Sequence, residues 1–138
     1  MSSSPKEREA PPAPKVLALV VANLVVQDPN TGNFHILGTY TTVRSSTFPF
    51  TCSSFAVYLA LTDGHGECQV KLRLVDVDEA RPPLLDGSFQ VSFPDPNAAP
   101  EQVFVARHVV FPEPGDYRLQ VLCRNELLSE RRISVRRS

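Results

Sequence analysis

A chain of 138 residues whose charges almost cancel, at net −1, is sized for one domain and presents no overall field to nucleic acid or an anionic membrane. Its 42% hydrophobic and 8% aromatic content suffices for a core without disulfide or metal staples. Three cysteines, Cys52, Cys68 and Cys123, are an odd count with no close-spaced pair, which argues against a disulfide framework. They read as small buried thiols in a reducing cytoplasm, with a bridge between Cys68 and Cys123 across two facing sheets as the alternative.

Residues 1–15 are rich in Ser, Pro and charge and contain too little apolar surface to offset the entropy of ordering, so a disordered or polyproline-like tail is expected. Its Pro11-to-Pro14 spacing fits a PxxP ligand. The folded domain is expected over 16–138. Val16–Val26 is the most apolar run, about half the length a transmembrane helix requires, and it passes into the turn 28–33. It reads as a strand buried on both faces, or bulged near Ala22 and Asn23. With no export signal in this reading, the expected location is the cytoplasm.

Phe34–Val43 continues as a hairpin partner, and Arg44–Ser54, around Phe48, Pro49 and Phe50, as a polar crossing between sheets. Phe55–Leu61 is an apolar strand. Glu67–Val75 alternates most regularly, with Cys68, Val70, Leu72 and Leu74 on one face and Gln69, Lys71 and Arg73 on the other. Strands follow around Phe89–Phe93 and over Gln102–Phe111. No apolar series at helical spacing lasts beyond two turns. About eight strands on short loops predict an all-β, two-layer antiparallel β-sandwich.

The last third carries the strongest pattern. After Phe111-Pro-Glu-Pro comes Gly115, then Tyr117, Leu119, Val121 and Cys123 inward with Arg118 and Gln120 outward, a turn at Arg124, Asn125 and Glu126, and a return strand Leu127–Val135. From Gln102 to Val135 this arrangement resembles the closing strands of prokaryotic immunoglobulin-like modules, and the body from Val16 resembles small bacterial sandwich proteins without an assigned activity. The resemblance implies an immunoglobulin-like fold and a structural corner at Gly115 and Tyr117, the tyrosine bonding upstream backbone. It implies no active-site residue. The antibody pattern is absent: there is no Trp, and Cys123 lies six residues after Tyr117.

His35, His65 and His108 sit in separate segments without metal-ligand spacing. Asp76, Asp78 and Glu79 form an acidic loop of the kind a C2-like sandwich uses for calcium, but a single cluster is half of such a site. Ser45, Ser46, Ser53 and Ser54 lack a nucleophile elbow and a partnered His. Without a Trp platform, and with Tyr40, Tyr58 and Tyr117 inside apolar alternation as core or corner residues, sugar binding is the weaker reading. Residues 124–138 hold five Arg against two Glu. With Glu130, Arg131 and Arg132 in succession, the last strand is expected at a sheet edge, where Arg131, Arg132, Arg136 and Arg137 would meet an acidic partner or block edge pairing.

The sequence thus predicts a non-catalytic protein-interaction or structural module that needs no cofactor and engages a protein partner, not nucleic acid or membrane. A calcium-dependent module built on Asp76, Asp78 and Glu79 is the alternative. Added calcium would raise the melting midpoint only in the second case.

Overall fold

The computed structural model describes residues 12–138, so most of the expected tail, Pro11 of the PxxP pattern included, lies outside the described residues. Lys15, assigned to that tail, already belongs to the first strand. All regular structure among the described residues is β, in eleven strands rather than about eight. No helix there is long and apolar enough to cross a membrane.

The four-stranded sheet has the order β2-β1-β5-β8, formed by β1 (Lys15–Gln27), β2 (Phe34–Thr39), β5 (Phe55–Thr62) and β8 (Glu101–Ala106). The five-stranded sheet runs β3-β11-β10-β6-β7, formed by β3 (Thr42–Ser45), β6 (Gly66–Asp76), β7 (Leu85–Phe93), β10 (Gly115–Cys123) and β11 (Glu126–Arg137). A small third sheet pairs β4 (Phe50–Cys52) with β9 (Val109–Phe111). Two of the three extra strands come from subdivision and one from the polar crossing. The segment expected as one strand over 34–43 breaks at Tyr40 and Thr41 into β2 and β3, which belong to different sheets. Gln102–Phe111 breaks into β8 and β9, and the polar crossing supplies β4. Strands of three and four residues are too short to show a period.

One buried cluster draws side chains from both large sheets: Leu19, Val21, Val57 and Leu59 from the first, Val70, Leu72, Leu119 and Val121 from the second. Period two explains the selection, since inward residues are separated by outward ones along each strand. The inward series Tyr117, Leu119, Val121 and Cys123 is buried as expected. Its hairpin closes through Arg124 and Asn125, both at positive φ (52° and 65°), as a tight two-residue turn with right-handed strand twist demands.

The corner has the bond to upstream backbone that the resemblance implied. The Tyr117 hydroxyl donates to the Glu113 carbonyl at 2.6 Å, and the ring is buried. Gly115 sits at φ +154°, open to glycine and strained for any other residue. Tyr117→Phe should cost about 1–2 kcal/mol, the scale of one buried hydrogen bond left unmade. An unchanged urea midpoint at constant m would remove the corner's structural role.

Two expectations about strands need correction. The bulge in β1 is at Leu17, where the register with β5 shifts between Val16 and Ala18, and not near Ala22 and Asn23. β1 is buried on both faces only in its centre, at Leu19, Val21 and Ala22. Beyond that, Leu24 and Val26 are exposed. The last strand is also not an edge throughout: Ser134–Arg137 pair in parallel with Thr42–Ser45 of β3, so only the preceding half of β11 is uncovered on that side. The short β3 straddles the end of the strand expected over 34–43 and the start of the polar crossing, and a parallel partner so far away in sequence leaves no local signature.

Candidate functional site

The outward face of the five-stranded sheet is polar and largely self-satisfied. Arg118 Nη1 donates to Glu130 Oε2 at 2.8 Å, and Arg136 lies 3.6 Å from Asp116 Oδ1, which also accepts from Ser134 Oγ. Arg137 donates to the Ser46 carbonyl at 3.1 Å and stacks over Phe48, 5.1 Å from the ring centre. Of the four arginines singled out in the sequence, Arg136 and Arg137 are therefore engaged within the fold. Arg131 and Arg132 are exposed without an ion-pair partner among the described residues. Arg131 shares its face with Leu119, so it is a charge on the core side of a free edge, a device that blocks further pairing.

The acidic loop is structural too. Asp76 Oδ2 meets Arg81 Nε at 3.2 Å and its other oxygen accepts from the Ala80 amide at 3.1 Å, while Arg81 also reaches Glu113 at 3.4 Å. The Asp76 carboxylate thus fastens the β6–β7 turn to the tyrosine corner, while Asp78 and Glu79 face solvent. Among the described residues, no three His, Cys, Asp or Glu converge on a metal position.

The thiols are all buried and free. Cys68 and Cys123 lie on neighbouring strands of one sheet, Cys123 opposite Val70, so they are diagonal neighbours and not partners across facing sheets. Burial, above all, pushes the Cys123 thiol up, with Cys68 adding to it and Arg124 opposing, which makes it a poor nucleophile.

The first sheet behaves differently. Val20, Ala22, Ala56, Tyr58 and Val103 point away from the core by register, and none of them is charged. Ala22 and Ala56 are completely covered although they lie outside the core cluster. The β1–β2 hairpin accounts for this. Its far end brings Phe34 within 5.9 Å of the Tyr58 ring in mid-β5, so the ribbon folds over its own sheet. Tyr58 is thus neither core nor corner; its hydroxyl bonds the Glu101 carboxylate. The ribbon then turns another face to solvent. Leu24 is paired directly with Leu37 and flanked by Val26, at 49%, 51% and 41% exposure. Leu24 also lines a groove of about 460 Å³ with Asn23, Ser53, Val105, Arg107 and His108. Val105 is 51% exposed. A contiguous apolar surface of this kind marks a contact site more often than scattered hydrophobics do.

A family of unknown function, DUF6941, matches residues 17–136. The chain belongs to this family. A solved immunoglobulin-like protein from Pseudomonas aeruginosa aligns over 93% of this chain and 100% of its own at 18% identity, with a TM-score of 0.40. No curated protein matches. Membership of a family without an assigned role fits the expectation of a small protein of unassigned function.

Besides the Cys123 thiol, the displaced pKa values are those of the three tyrosines, raised mainly by burial: Tyr40 strongly, Tyr117, and Tyr58 to about 12, with the Glu101 hydrogen bond assisting at Tyr58. The native state therefore keeps phenolic protons that the unfolded chain releases near pH 10. Stability from this source is complete below pH 10 and falls as pH rises from there towards 12. In a spectrophotometric titration at pH 11, native protein should show far less tyrosinate than protein in denaturant, and its urea midpoint should be lower than at pH 9. Equal tyrosinate in both states would contradict these environments.

Proposed function

We propose that this protein is a non-catalytic immunoglobulin-like β-sandwich, its two large sheets forming the layers, that binds a protein partner through the exposed ribbon of β1 and β2. The observation carrying the reading is the face formed by Leu24, Leu37 and Val26, continued at Val105. Its exposed side chains are apolar, while the opposite sheet presents paired charges. The sandwich reading rests on the cluster shared by both sheets. A partner covering this face would bury apolar surface worth about 25 cal/mol per Å², the main source of affinity in such contacts.

The basic end of β11 is the weaker surface, because Arg136 and Arg137 already have partners within the chain. Affinity capture should distinguish the two. Leu24→Lys with Leu37→Lys should lose the proteins that wild type retains, with an unchanged melting point, while replacing Arg131, Arg132, Arg136 and Arg137 by Ser should retain them. The reverse pattern would return the binding surface to the basic strand.

A further inference from the structure

The partner's chemistry can be narrowed from the groove beside this face, an inference that rests on the docking reading above. Two cavities of about 420 and 460 Å³ meet at Asn23, Ser53 and Ser54, each within the roughly 300–1,000 Å³ of ligand clefts. The ridge between them is held from below, where the Tyr40 hydroxyl donates to the Ser54 carbonyl at 2.8 Å. The Asn23 amide lies over Gly38, and neither it nor the Ser53 hydroxyl has a hydrogen-bond partner among the described residues. At the far end stand Arg107 and His108, both exposed and likewise without a partner among the described residues. No acidic side chain lines either cavity.

We propose that this groove takes an extended peptide segment of a protein partner that carries a carboxylate beside an aliphatic side chain. The aliphatic group rests on Leu24 and Val105. The peptide backbone crosses the Ser53–Ser54 ridge, where the amide of Asn23 and the hydroxyl of Ser53 supply both donors and acceptors to its amides. The carboxylate meets the guanidinium of Arg107, whose planar fork matches two carboxylate oxygens. A basic peptide would place like charges together at that end, so charge complementarity selects the sign of the partner.

The test is a selection of random peptides, displayed with free carboxyl termini, on the immobilised full chain. The enriched peptides are then synthesised and their binding measured to wild type, Arg107→Gln, Val105→Ser and Leu24→Lys. All three positions are exposed, so the variants should melt with wild type. The expected result is enrichment of Asp, Glu or a terminal carboxylate next to an aliphatic residue, with at least tenfold weaker binding to Arg107→Gln and to Leu24→Lys. Peptides that depend on Leu24 but are indifferent to Arg107→Gln, or lack a carboxylate, would overturn the acidic partner and leave the docking face standing. If no enriched peptide responds to Leu24→Lys or Val105→Ser, both readings fail. Self-association abolished by Leu24→Lys would assign the groove to a second copy and overturn the peptide proposal.

Discussion

Phe111→Ala should destabilise the protein by about 3–5 kcal/mol, the range for truncating a fully buried phenylalanine. Phe111 has no exposed surface and lies in the shared core. Its ring meets Tyr117 edge-on at 5.1 Å and 71°, a geometry that contributes about 0.5–1.5 kcal/mol beyond buried area. Its backbone pairs with Phe50 in the small β4–β9 sheet. Removing the ring opens a cavity beside the tyrosine corner, so the loss should couple to Tyr117. Urea denaturation of Phe111→Ala, Tyr117→Phe and the double variant measures this. The expectation is a single-variant loss near the upper half of that range and a double variant less destabilised than the two losses added. Strict additivity would mean that the two rings act independently. A domain of this size has roughly 5–15 kcal/mol in all, so Phe111→Ala should approach the limit of folding at 37 °C.

Gly64→Ala should be the most damaging change of a small turn residue, because Gly64 is buried. A Cβ there would lie 2.3–2.5 Å from three carbons of the Phe93 ring, and Phe93 is only 3% exposed. The ring cannot yield without displacing the core behind it, and overpacking of this kind costs about 1–3 kcal/mol. The penalty is steric, because Gly64 is not among the residues at positive φ. Gly66→Ala, two residues on, meets nothing within 4 Å and should show only the strain of its φ of +64°. Adding Phe93→Leu should partly restore Gly64→Ala, since a smaller side chain frees the space. A Gly64→Ala midpoint equal to wild type, or no relief from Phe93→Leu, would contradict the packing described for this turn.

How much was readable before the structure depended on whether the signal was local. The alternation in β6 and β10, the six-residue link between β1 and β2, and the tyrosine corner are properties of neighbouring residues, and each was legible. The position of β11 depended on β3, a four-residue strand from the other end of the chain, and could not be read locally. The thiol geometry depended on which strands were neighbours, information that period two does not carry. The exposed apolar face of the β1–β2 ribbon was missed for a related reason. Val16–Val26 is apolar except at Asn23, and a nearly continuous apolar run reads as burial on both faces. Only the position of β2 at a sheet edge, folded back so that Phe34 meets Tyr58, exposes Leu24, Val26 and Leu37. Nothing local in the sequence sets Arg107 and His108 apart; only the fold places them in one groove with Leu24 and Val105.

The claim that the β1–β2 ribbon is the contact surface is tested most directly by amide hydrogen exchange on the protein alone and bound to its captured partner. The account predicts added protection over 23–39 and around 105–108, with 126–137 unchanged. Protection confined to 126–137, with the ribbon exchanging as in the free protein, would contradict it.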